Sequence, residues 1–178
     1  AADTAHTYET DGTYTVTLIA TNTCGSDTAS QQVTILVPPV AGWAQNLNEG
    51  CEGLSVEFNA APQGSGLTYA WTFGGGEPAT SDLPNPTVNY PTAGTYPVQL
   101  IVTNAAGADT SLQNTAVIVG ANPLAAFAAN GTLGQVTVQF TNSSFAASTY
   151  HWDFGDGASS TAADTAHTYE TDGTYTVT

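Results

Sequence analysis

The 178-residue chain contains no lysine, no arginine and no methionine, against 15 aspartates and glutamates and three histidines. Charged residues ordinarily supply about a quarter of a soluble chain; here they supply 8%, all of one sign. Each absence removes a class of function. Nucleic-acid binding needs cations that neutralise phosphates and release counterions, so that partner is excluded. Attraction to anionic lipid surfaces fails for the same reason. The formal charge of −15 must be balanced by solvent ions or bound metal, and it keeps long assemblies soluble by self-repulsion. A surface without Lys or Arg gives trypsin-like proteases nothing to cut, which suits an extracellular or cell-surface protein. The missing methionine fits a processed or excised segment. No apolar run approaches the ~20 residues of a membrane span, so membrane insertion is not expected.

Catalytic motifs are missing as well. There is no GxSxG, no HExxH and no recognisable glycosidase or aspartic-protease carboxylate pair. The run FGGGEP (73–78) has the glycines of a phosphate loop but neither its lysine nor a following helix. The chain is expected not to be an enzyme.

What is present is repetition. The opening 17 residues, AADTAHTYETDGTYTVT, recur unchanged at 162–178, a period of 161. Period-2 alternation runs throughout, with no helical periodicity. In GTYTVTLIATN, residues Tyr14, Val16, Leu18 and Ala20 share one face; in GTYPVQLIVTN the same places hold Tyr96, Val98, Leu100 and Val102. Gly12 and Gly94 lie 82 apart, as do LSVEF and VTVQF, while Trp71 and Trp152 lie 81 apart. Each period therefore holds two related units of about 80 residues. Short strands at this density of Gly, Pro, Asn and Asp turns predict β-sandwiches.

The sequences VPPV (37–40) and GANPL (120–124) read as short, stiff linkers, because proline cannot continue a sheet ladder. Residues 40–121 then form one complete module. Residues 122–178 begin a second, and residues 1–39 supply the end of such a module. Alone, residues 1–39 expose Tyr14, Val16, Leu18 and the run VTILV with no opposing sheet, too little apolar surface to fold independently. Their other half is expected from the corresponding segment of a preceding repeat, in the same chain or in a neighbouring subunit.

YHWDFGDG followed by HTYETDGTYTVTLIATN resembles the PKD (polycystic kidney disease) domain, with its WDFGDG turn, H-x-Y and G-x-Y-x-V-x-L strand. The middle unit departs from it, with WTFGGG in the turn and VNY in place of H-x-Y. The resemblance implies an all-β fold of tandem Ig-like sandwiches, about seven strands each, and a role as spacer, adhesive stalk or carbohydrate-associated module. Such arrays are similar to those of secreted bacterial proteins, especially from the Bacteroidota. The expected function is a repeat of an extracellular fibre, sheath or stalk, with self as partner. The alternative is a carbohydrate- or protein-binding accessory module, with Trp43 or Tyr90 stacking on cell-surface or matrix glycans.

Individual candidates carry two readings each. Asp153 and Asp156 flank Phe154-Gly155, either as ligands of a Ca²⁺ ion or as Asx-turn acceptors. His167 and its duplicate His6 lack a catalytic partner in the sequence and read as packing residues near the Trp strand. Tyr14, Tyr96 and Tyr175 resemble tyrosine corners, whose hydroxyls tie to nearby backbone. Cys24 and Cys51 do not match a CxxC spacing; they read as a disulfide, within or between chains, or as free thiols. The sequons at Asn130 and Asn142, and the D-T-A triplets at Thr4, Thr28 and Thr165, are candidate glycosylation sites or plain turn residues.

Overall fold

The computed structural model describes residues 4–131 and 136–178. The fold is all-β. Glycines and prolines punctuate the chain, and β-branched residues alternate between them, so each segment extends and pairs rather than coils. A first hairpin consists of β1 (Gly12–Asn22) and β2 (Gly25–Ile35). The middle of the chain supplies β3 (Trp43–Gln45), β4 (Glu49–Cys51), β5 (Leu54–Ala60), β6 (Thr68–Phe73), β7 (Thr80–Ser81), β8 (Thr87–Tyr90), β9 (Gly94–Asn104) and β10 (Gly107–Gly120). The last part contributes β11 (Phe127–Asn130), β12 (Thr137–Asn142), β13 (Trp152–Asp153), β14 (Ser159–Ser160) and β15 (Thr165–Thr168). Two compact units result, Ala1–Gly120 and Ala121–Thr178.

The middle module is a sandwich. One sheet has the order β4-β10-β9-β6-β7 and the other β3-β5-β8. Alternate residues of β5, β6, β8 and β9 enclose a core in which Val56, Val88, Tyr90, Val98, Leu100 and Val102 are wholly buried. Trp71 sits among Trp43, Phe58 and Phe73, and its ring nitrogen donates to the Leu83 carbonyl at 2.9 Å. The module has eight described strands, one more than about seven. The extra piece is the three-residue β4, which runs parallel to the end of β10 and turns back at Gly53 with φ +86°.

The β1–β2 hairpin repeats the β9–β10 pairing but carries no third strand. Val16 is 47% and Leu18 68% exposed, where their counterparts Val98 and Leu100 are buried completely. The hairpin joins the middle module at its linker end. The Asp11 carboxylate accepts from Val37 N at 2.7 Å and Ser65 Oγ at 2.6 Å, and Asn104 Nδ2 donates to the Val37 carbonyl at 2.9 Å.

The unit Ala121–Thr178 holds sheets β11-β12-β15 and β13-β14 around Phe140, Trp152 and Phe154. Residues 173–178 run where β9 runs in the middle module, with Asp153 and Thr178 exchanging backbone bonds of 2.8 and 3.0 Å. Among the described residues of this unit, no strand takes the place of β10.

Candidate functional site

The WDFGDG turn links β13 to β14. Asp153 Oδ1 accepts from Gly155 N at 2.9 Å, and Asp156 Oδ1 accepts from Ala158 N at 3.0 Å. The second Asp156 oxygen lies 2.6 Å from His167 Nε2. That contact first, and the Ala158 amide next, hold the Asp156 carboxyl below its ordinary value of 3.8. His167 stacks on Phe154 with centroids 4.2 Å apart, and Tyr169 closes the cluster by donating its hydroxyl to the Phe154 carbonyl at 3.1 Å. Gly155 has φ +80°, and a Cβ there would stand 2.5 Å from the Thr176 carbonyl oxygen. Glycine thus admits the strand that follows. Each Asp156 oxygen thus already has a partner, His167 on one side and the Ala158 amide on the other. Among the described residues, no group of three or more His, Cys, Asp or Glu is placed to hold a metal ion.

The duplicate His6 meets Tyr8 edge-on at 4.6 Å, without counterparts of Phe154 or Asp156 beside it. Tyr14, Tyr96 and Tyr175 each donate a hydroxyl to the carbonyl four residues earlier, on Thr10, Thr92 and Thr171, at 3.0, 2.8 and 2.9 Å. Trp152, like Trp71, is buried and bonded through its ring nitrogen, here to the Ala162 carbonyl at 2.8 Å.

Two aromatic candidates for sugar stacking are placed differently from the sequence expectation. Tyr90 is 0% exposed, and burial pushes its hydroxyl up to about 12. Trp43 is half-buried, packed edge-on against Phe58 and Trp71. Both occupy inward positions of their strands, on the alternation that fills the sandwich. Tyr90 therefore presents no face to a sugar.

Cys24, in the β1–β2 turn, and Cys51, ending β4, are both exposed and carry free thiols, so the structure holds no intrachain disulfide. Thr4, Thr28 and Asn130 are exposed, whereas Thr165 and Asn142 are half-buried. Asn142 Oδ1 also accepts from Ser144 N at 2.9 Å. Asp3 and Thr132, which complete two of these triplets, lie outside the described residues.

Sequence reasoning overlooked the polar joint at the linker. Besides Asp11 and Asn104, Asp109 Oδ2 accepts from Ala41 N at 2.8 Å. The signal was present in the parallel phrases TNTCGSD (21–27) and TNAAGAD (103–109), which place Asn and Asp identically around a glycine turn.

Two facing sheets, a buried tryptophan on β6 and a tyrosine tied back to the chain define an immunoglobulin-like β-sandwich. More narrowly, the chain belongs to the PKD domain family, whose model matches residues 1–37, 36–119 and 121–178. It is similar to Polycystin-1 of Homo sapiens, with 32% identity over 108 residues, 57% of this chain and 2% of that protein. The chain thus spans a small fraction of that relative's length. The family is a non-catalytic Ig-like module found in extracellular and cell-surface proteins. Among the described residues, no helix is long and apolar enough to cross a membrane.

Proposed function

We propose that this chain is a repeat of an extracellular fibre, sheath or stalk that serves adhesion or matrix scaffolding. Successive copies, covalently continuous or separate, complete one another's open modules. One observation carries the reading. The two incomplete pieces leave open the surfaces that the middle module buries, and the same GTYTVT starts β1 and forms the tail at 173–178. Burying an aliphatic side chain of this kind contributes about 1.5–3 kcal/mol. Several such side chains decide between a marginal two-stranded hairpin and a stable sandwich. Short proline joints would pass tension between modules, and strand ladders would resist it. In such arrays stability adds up from module and neighbour terms.

Electron microscopy of purified chain tests this. Filaments with a repeat of two modules are expected; discrete monomers at every concentration would refute it.

A further inference from the structure

We propose that the Asp11 carboxylate is a latch that fixes the first hairpin at a set tilt on the middle module, so that this joint passes bending and torque instead of swivelling. The inference goes beyond the fibre reading and does not depend on it, because every group involved lies within Ala1–Gly120.

The latch starts from a rigid corner. Tyr14 donates its hydroxyl to the Thr10 carbonyl at 3.0 Å and lies 2.9 Å from the Thr10 hydroxyl. These contacts tie down the bend immediately before β1, and Asp11 stands in that bend. A group already held in place loses little further freedom when it bonds. One Asp11 oxygen accepts from Val37 N at 2.7 Å and the other from Ser65 Oγ at 2.6 Å. Val37 belongs to the linker, and Ser65 to the loop between β5 and β6 of the middle module. The carboxylate thus joins three segments, and hydrogen bonds to an ionised acceptor are roughly twice as strong as neutral ones. The Ser65 hydroxyl first, and the Val37 amide next, hold the Asp11 carboxyl below its ordinary value of 3.8. The acceptor therefore stays charged at neutral pH.

The middle module grips the linker along its length. Asn104 Nδ2 donates to the carbonyls of Val37 and Ser65 at 2.9 and 3.3 Å. Val40 and Gln63 exchange backbone bonds of 3.1 and 3.0 Å, and Asp109 Oδ2 accepts from Ala41 N at 2.8 Å. Pro38 and Pro39 have fixed φ and no N–H to satisfy. They lie against Gly107 and Gly64, where an added Cβ would stand 3.5 and 3.4 Å from them. A linker held at so many points is a poor swivel, and Asp11 extends the grip to the hairpin.

The sequence marks donor and acceptor as a matched pair. Gly12 aligns with Gly94, which puts Ala93 in the place of Asp11. Ser65 falls on the alanines of FAAS (145–148), whether counted from Phe58 and Phe140 or from Trp71 and Trp152. Both groups are thus missing together from the counterpart positions. The corner itself persists there, since Tyr96 donates to the Thr92 carbonyl at 2.8 Å beside Ala93. The tyrosine serves the fold of its own module; the carboxylate next to it serves the joint.

Residual dipolar couplings of the full chain, weakly aligned in a neutral stretched gel, test this. Amides of β1–β2 and of the middle module should fit one alignment tensor at neutral pH. S65A and D11A should each break that fit and lower the hairpin's tensor magnitude by about half or more. D27A removes a carboxylate from the opposite end of the same hairpin and should leave the single tensor intact. Where D11A unfolds the hairpin, S65A decides, because Ser65 lies outside it. Two tensors in the unaltered chain, one tensor retained in S65A or in folded D11A, or an equal loss in D27A would overturn the proposal.

Discussion

Tyr90 shows how much a single atom can cost in this sandwich. Its hydroxyl is buried with no hydrogen-bond partner, and burial raises its ionisation to about 12. An unpaired buried polar group carries a desolvation penalty of about 1–3 kcal/mol. Tyr90→Phe should therefore leave thermal stability unchanged or raise it, as calorimetry would show. The pH dependence has a definite sign. A raised value means that the contribution is complete below the unfolded value of 10.0 and is lost as pH climbs towards about 12. Tyr90→Phe should remove that alkaline loss. Asp156 works the other way, because the His167 contact lowers its value. Its contribution is present above about 3.8 and disappears as pH falls through the lowered value. An acid transition in the His167 ring resonances is expected below that point, and Asp156→Asn should abolish it.

At the scale of elements, β1 and β9 are nearly the same strand in two environments. Leu100→Ala should cost about 2–5 kcal/mol, because it opens a cavity in a closed core. Leu18→Ala in the isolated chain should change stability by no more than about 0.5 kcal/mol, since the side chain there faces solvent. Paired denaturation curves would check the contrast. The alternation that identifies both strands was plain in the sequence, as were the Trp71 and Trp152 strands and the glycine turns. Burial was not. Tyr90 was a candidate for stacking on a sugar, yet its strand position points it inward. The short β4 also escaped notice, since three residues carry too little periodicity to register and the strand forms only because β10 offers an edge.

For the whole molecule, charge sets the kinetics of encounter. With 15 acidic residues and no Lys or Arg, copies repel one another at long range. The Debye length falls from about 30 Å at 0.01 M salt to about 8 Å at 0.15 M. Raising salt across that range should speed association, the reverse of what steering between opposite charges gives. Light scattering during assembly measures it, and a rate that falls with salt would contradict the prediction.

The sequence by itself determined the all-β class, the family and the 161-residue repeat. These depend on alternation and exact repetition, which are local and survive without coordinates. Only the tertiary structure decided which aromatics are core, that Asp156 leans on His167 rather than standing free, and how Asp11, Asn104 and Asp109 build the joint at the linker. Those outcomes depend on which residues far apart in the chain are brought to the same place, and spacing along one strand carries no record of what lies across from it.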